Sequence, residues 1–444
     1  MANICVIGGA GYVGLTTGAC FADLGNTVVG LDINHERVAQ LQKGILPIYE
    51  PGLEELVQRN LAAGRLRFSA DYADALGDAE FAFITVDTPS SIDGGADLNS
   101  LRSAAEQIAR TMRRSLIIVN KSTVPVGAGD LVTTLVEQHR ERDVEFRVVS
   151  NPEFLQEGLA VHGCLHPDRI ILGSADRAAA EQVAELYQTL NAPILITDLR
   201  TAEMIKYASN SFLAAKISFI NEIAAICEQL GADVKEVARG MGLDKRIGGA
   251  FLDAGVGWGG SCFPKDVRAL EYMAATHGCH PQLLRAVMDI NRDARRRLVQ
   301  RTREALGGTL DGKRVAVLGL SFKENTDDMR DAPSVTVIHQ MQNEGARVVA
   351  YDPVAGRHAP RLLPHTEVAT SAYEATRGAE ALVILTAWNE FKQLDLERVK
   401  ILMANPLIVD GRNIYDSQRM HELGFHYLSV GRPTIAREVA ELTS

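Results

Sequence analysis

The chain has 444 residues, 46% of them hydrophobic and 23% charged, with 46 basic against 56 acidic residues and a net charge of −10. That length exceeds what one core fills, so two or three domains are expected, and the acidic balance disfavours nucleic acid and anionic membrane surfaces as partners. No run approaches the roughly twenty apolar residues of a membrane span, no secretory pattern precedes the apolar run at Asn3, and six cysteines without paired spacing read as reduced thiols. These features predict a cytoplasmic protein.

From Asn3 to about Ile196, short apolar runs alternate with helical patterns. The predicted strands are 3–8, 27–32, 80–86, 115–121, 145–150 and 169–173. Near-continuous apolar strands separated by helices predict a parallel sheet covered on both faces, a doubly wound α/β domain. Its first turn, "VIGGAGYVG", fits two spacings. Gly9, Gly11 and Gly14 make Gly-x-Gly-x-x-Gly, and Gly8, Gly11 and Gly14 make Gly-x-x-Gly-x-x-Gly. Placed between a strand and a helix, with Tyr12 and Val13 opening the helix, these glycines predict a dinucleotide pyrophosphate site. Asp32 closes the second strand, where a carboxylate accepts the ribose 2′-hydroxyl and repels a 2′-phosphate, so NAD is favoured over NADP. Arg37 suits an adenine edge or solvent. The second spacing also occurs in epimerases, which need Tyr-x-x-x-Lys, and no tyrosine here has Lys four residues on.

From Thr201 to Leu230 thirty residues contain neither Gly nor Pro, and Gly231 suits a helix end. Such a helix spans about 45 Å and predicts a spine between domains with a dimer surface. After Arg296 the alternation restarts, with strands predicted at 313–320, 346–353, 381–387 and 406–413 and a helix at 334–345. The expected fold is α/β, two doubly wound Rossmann-like domains joined by a long central helix. The divisions are 1–198 for NAD, 199–300 for a helical and dimerising region, and 301–444 for the nucleotide sugar.

The stretch "FLDAGVGWGGSCFPKDVRAL" (251–270) is the richest in chemistry. Gly255, Gly257, Gly259 and Gly260 leave the backbone open to a ligand, and Cys262 precedes Pro264 in a first helical turn. A thiol at a helix start beside Lys265 has its thiolate stabilised and can attack a carbonyl. "HGCH" (277–280) lacks a second ligand pair and reads as a solvated loop, with no metal expected.

"KSTVPVG" (121–127), "NPEFLQEG" (151–158), "EMIKYASNSFLAAKISFINE" (203–222), "GGSCFPKD" (259–266) and "GLSFKENTDDMRDAPS" (319–334), in this order, resemble the UDP-glucose/GDP-mannose dehydrogenase family over essentially the whole chain. The resemblance implies a double oxidation at C6 of a nucleotide sugar, UDP-glucose in the first instance, with two NAD per turnover. Cys262 captures the aldehyde as a thiohemiacetal that becomes a thioester. Lys206 and Asn210, four apart on one helix, suit stabilisation of alkoxide and oxyanion states. Asp266, helped by Thr123, suits activation of water, and Glu153 or Glu157 suits the same proton traffic. By the same resemblance the substrate is touched by Glu153, Phe154, Leu155, Gln156, Glu157, Lys206, Asn210, Phe251, Leu252, Asp253, Ala254, Gly255, Gly259 and Lys323. NAD is touched by Val13, Asp32, Thr88, Thr123, Glu157, Lys265 and Arg330. Arg246 reaches the substrate of a neighbouring subunit, which implies a homodimer or larger. GDP-mannose or another nucleotide-hexose is the alternative within the family; a non-catalytic paralogue, or an epimerase or dehydratase, is the alternative outside it.

Three departures from the family pattern stand out. Gly8 is one extra glycine, read as an insertion that lengthens the turn while Gly9, Gly11 and Gly14 do the work. Asp87 in "VDTP" adds negative charge beside the expected cofactor, and Trp258 replaces the usual Phe.

Overall fold

A computed structural model describes residues 1–91 and 94–433. The chain forms two compact units, the first of residues 1–209 and 268–279 and the second of residues 210–267 and 280–444.

The first unit holds an eight-stranded sheet of β1 (Asn3–Ile7), β2 (Thr27–Leu31), β3 (Leu66–Ser69), β4 (Phe81–Ile84), β5 (Leu116–Asn120), β6 (Phe146–Ser150), β7 (Ile170–Ser174) and β8 (Ile194–Thr197). Its order is β3-β2-β1-β4-β5-β6-β7-β8. Side chains alternate across the sheet: Ile4 and Val6 enter one core while Cys5 and Ile7 enter the other. Strands buried on both faces in this way give the unbroken apolar runs of the sequence. The parallel expectation is corrected at one seam. β6 and β7 are antiparallel, with Val149 opposite Ser174 and Ser150 opposite Gly173, the chain returning in the opposite direction after the six-residue helix Ala160–Leu165. β3 and β8, at the sheet edges, have too short an apolar signature to have been predicted.

The second unit carries a six-stranded, fully parallel sheet of β9 (Arg314–Leu318), β10 (Arg347–Tyr351), β11 (Glu367–Val368), β12 (Ala381–Ile384), β13 (Leu407–Asp410) and β14 (His426–Ser429), in the order β11-β10-β9-β12-β13-β14. Both units share the strand, turn, helix, strand, Asp pattern, yet the two carboxylates differ. Asp352 is buried and accepts from Leu320 N, Ser321 N, Val354 N, Ala355 N and Trp388 Nε1. Its hydrogen-bonding capacity is consumed by the protein. Asp32 is half-buried and accepts from Ala10 N and Asn34 N.

The central helix spans Leu199–Leu230, 32 residues. It starts two residues before the predicted point because the Asp198 side chain accepts from Thr201 N at 2.9 Å, and it ends at Gly231, whose φ is 74°. No helix among the described residues is long and apolar enough to cross a membrane.

Candidate active site

In the first unit, β1 leads through Gly8–Gly11 into the helix Tyr12–Asp23, at the point where β2 and β4 flank β1 and connections leave in opposite directions. That is where open α/β sheets bind ligands. Gly8 is built into this turn. Its φ is 83°, its carbonyl accepts from Gly11 N at 2.9 Å, and a Cβ on Gly14 would stand 2.2 Å from Gly8 O and 2.5 Å from Thr85 Oγ1. A Cβ on Gly9 would meet Gly30 Cα at 2.6 Å. Gly11 differs, since only Gly8 O, at 3.2 Å, crowds its missing Cβ, and as N-cap it offers no side chain to the first-turn N–H groups. An uncapped helix start behind an open glycine fits a pyrophosphate, and the half-buried Asp32 carboxylate fits a ribose.

Beyond Asp32, Ile33 is 80% exposed and Arg37 is also exposed, on the helix His35–Leu41. Asp87 points to solvent, and Thr88 Oγ1 donates to Thr123 O at 2.7 Å, joining the two loops after β4 and β5.

The segment 151–158 follows β6. Lys206 Nζ donates to Glu153 Oε1 at 2.8 Å and Leu155 N to Glu153 Oε2 at 2.6 Å, with both charged side chains nearly inaccessible. Burial pushes the Glu153 carboxyl up, but Lys206 and the Leu155 N–H together outweigh it and hold the group below the usual carboxylate range. The Phe154 ring has the Arg169 guanidinium 4.0 Å and the Lys206 ammonium 5.4 Å from its centroid. Gln156 is exposed and Glu157 buried. Sequence reasoning missed Lys121, whose buried ammonium donates to Asn151 Oδ1 at 3.1 Å and lies 3.4 Å from Tyr187 Oη. Its only sequence signal was a lysine at the end of an apolar strand.

In the second unit, Cys262 stands immediately before the helix Phe263–Thr276, and Asp266 N donates to Cys262 O at 2.9 Å. Asp266 is therefore one turn from the thiol. Its carboxylate is gripped on both oxygens, by Asn210 Nδ2 at 2.6 Å and by Lys265 Nζ at 2.5 Å. The Lys265 ammonium thus lies on Asp266, whereas the expectation paired it with the thiol. Ser261 Oγ is 3.5 Å from Cys262 Sγ.

The glycine-rich loop is closely packed. The missing Cβ positions of Gly255, Gly257, Gly259 and Gly260 are blocked by Gly411 O, Asn291 Oδ1, Asp331 O and the Phe322 ring, all within 2.8 Å. These residues are glycine because the loop packs tightly against its own unit. Leu252 and Ala254 sit in a cluster with Ile220 and Ala224, while Asp253 is exposed. Phe251, at φ 65°, is a non-glycine residue in the left-handed region. Trp258 is buried, with Nε1 donating to Ser218 Oγ at 2.9 Å. Lys323 Nζ lies 5.9 Å from the Phe322 ring centroid. Arg330 pairs with both Asp328 oxygens, and Arg246, 90% exposed, pairs with Asp244.

Family models match the chain in three consecutive parts: the NAD binding domain of the UDP-glucose/GDP-mannose dehydrogenase family at residues 2–191, its central domain at 200–293 and its UDP binding domain at 316–417. The chain belongs to the UDP-glucose/GDP-mannose dehydrogenase family. The UDP-glucose 6-dehydrogenase YwqF of Bacillus subtilis is 48% identical over 434 residues, covering 98% of each chain. The UDP-glucose 6-dehydrogenase of Rhizobium meliloti is 47% identical, covering 96% of this chain and 98% of the relative. Among solved structures, a UDP-glucose dehydrogenase from Pyrobaculum islandicum superposes with a TM-score of 0.91 at 39% identity, covering 97% of this chain and 98% of that one. As a member of this family the protein is an NAD-dependent oxidoreductase.

Proposed function

We propose that this chain oxidises the C6 hydroxyl of UDP-glucose to the carboxylate of UDP-glucuronate, a four-electron reaction. NAD, when bound, accepts one hydride in each of the two oxidations. The observation that carries the reading is the thiol of Cys262 one helical turn from an Asp266 carboxylate held by Asn210 and Lys265.

The alcohol C6 loses a hydride and its hydroxyl proton to give an aldehyde. Cys262 sulfur adds to that carbon as a thiohemiacetal, loss of a second hydride leaves a thioester, and water cleaves the C–S bond to release the carboxylate and restore the thiol. Covalent capture keeps the aldehyde from escaping. The Lys206 ammonium supplies positive charge to the alkoxide and oxyanion states, and Asn210 assists from the same helix. Asp266, with Thr123, orients and deprotonates the hydrolytic water, while Glu153 and Glu157 carry protons to and from the sugar end. The same reading gives NAD to residues 1–198, with Gly9, Gly11, Tyr12, Val13, Gly14, Asp32, Arg37, Thr88, Lys265 and Arg330 in contact. UDP falls to 301–444 with Lys323 and the backbone of 251–259.

The protein acts as a cytoplasmic homodimer in this reading. On the central helix Phe212, Phe219, Ile226 and Leu230 are exposed at spacings of seven, seven and four residues, an apolar stripe that a second copy would cover. Lys216, on the same helix, donates to the carbonyls of Ile247 and Gly248 and so holds beside that stripe the loop bearing Arg246. This supports a role for Arg246 in the neighbouring subunit.

Initial-rate assays with UDP-glucose, UDP-galactose and GDP-mannose test the substrate. UDP-glucose is expected to have the highest kcat/KM, and a preference for GDP-mannose would overturn the assignment.

A further inference from the structure

Glu50 lies between the helices His35–Leu41 and Leu53–Ala62, is 5% exposed, and has no part in the chemistry above. One carboxylate oxygen accepts from the Tyr12 hydroxyl and, at 2.6 Å, from Gly158 N; the other accepts from Ala160 N at 2.6 Å. Tyr12 is the first residue of the helix behind the glycine turn, and Gly158, at φ 79°, closes the segment that carries Glu153 and Glu157. Burial, and then the Glu50 charge, pushes the Tyr12 phenol far above its ordinary value, so the hydroxyl remains a donor at any working pH.

The other end of that segment is anchored separately, at Asn151, by Lys121, Tyr187 and the Ile171 carbonyl. A buried carboxylate that receives three donors from two sequence-distant places is a rigid tie, since the Gly158 and Ala160 N–H groups left without it would be buried and unpaired.

We propose that Glu50 is a positioning residue that fastens the dinucleotide turn to the sugar-nucleotide loop, so that the geometry of either is set by the other and the two substrates bind cooperatively. This rests on the enzyme reading given above. The unusual element is the reach of the tie: a change at Tyr12, on the cofactor helix, is transmitted to the affinity for the sugar nucleotide.

Tyr12→Phe removes one donor and leaves Glu50 held by two N–H groups. The UDP-glucose KM at saturating NAD, and the calorimetric dissociation constant of UDP-glucose with NAD-free protein, are both expected to rise roughly five- to tenfold, somewhat less than the full worth of one charge-assisted hydrogen bond. Glu50→Gln, which sets an amide NH2 against donors, raises both further. Should Glu50→Gln not fold, Tyr12→Phe decides alone. If Tyr12→Phe alters only the NAD constants and leaves both UDP-glucose constants at wild-type values, Glu50 merely holds the fold and the proposal fails. A wild-type protein that yields no NADH from UDP-glucose overturns the enzyme reading instead, and the calorimetric comparison still reads the tie without turnover.

Discussion

Replacing Lys206 by Met leaves Glu153 buried without its cation. The pair is 2.8 Å apart with side-chain exposures of 3% and 5%, and breaking such a pair by removing one partner costs about 3–5 kcal/mol. The Lys121 ammonium also lowers Glu153, which places the effect toward the lower end. In the wild type Glu153 is held low, so the pair's stabilisation is present above the unfolded carboxylate value and is lost as pH falls through the folded one. In the variant burial dominates and raises Glu153, so stability is retained at acid pH and lost as pH rises. The deficit therefore widens from pH 5 to pH 8. Scanning calorimetry should show the first unit melting roughly 6–20 °C lower than wild type at pH 7.5, with a smaller gap at pH 5. Glu153→Gln in the same chain should recover at least half of the loss. A deficit of less than about 1 kcal/mol at pH 7.5, or one that does not change with pH, would refute the buried-pair argument.

Gly11→Ala should leave the melting temperature within a few degrees of wild type yet weaken NAD binding by calorimetry, whereas Gly14→Ala, whose Cβ meets backbone at 2.2 Å, should unfold the turn and lower both. The buried carboxyl of Glu203, which accepts from Gly127 N and Gly129 N, is pushed up to about 7, chiefly by burial. The folded unit therefore holds this proton between about pH 4.5 and 7 while the unfolded chain releases it, and stability falls as pH rises through that window. Glu203→Gln should remove this slope in denaturation curves. Phe219→Glu should shift the sedimentation mass toward the monomer, while an unchanged dimer would place the interface elsewhere.

Much of the fold was legible because strands covered on both faces must be apolar throughout, as in β1, β4, β5 and β9. Strand direction was not, because a buried strand such as β7 reads the same either way. Edge strands were also obscure: in β8, Leu195 is 51% exposed, so burial left little pattern. Of the site, Cys262 and the glycine turn were visible through local spacing. Glu50, Lys121 and the Asn210 partner of Asp266 were not, since their bonds join residues 30 to 110 positions apart, which no local period encodes. Local reading also left out the packing of the glycines at 255–260. Glycine content signals close approach of something, and only the packing of Gly411, Asn291, Asp331 and Phe322 identifies it as the protein itself.

The most direct measurement is the number of NADH formed per limiting UDP-glucose by wild type and by Cys262→Ala. Covalent capture at Cys262 predicts two NADH for the wild type and no more than one for the variant, which can reach the aldehyde but form no thioester. One NADH from the wild type, or two from Cys262→Ala, would contradict it.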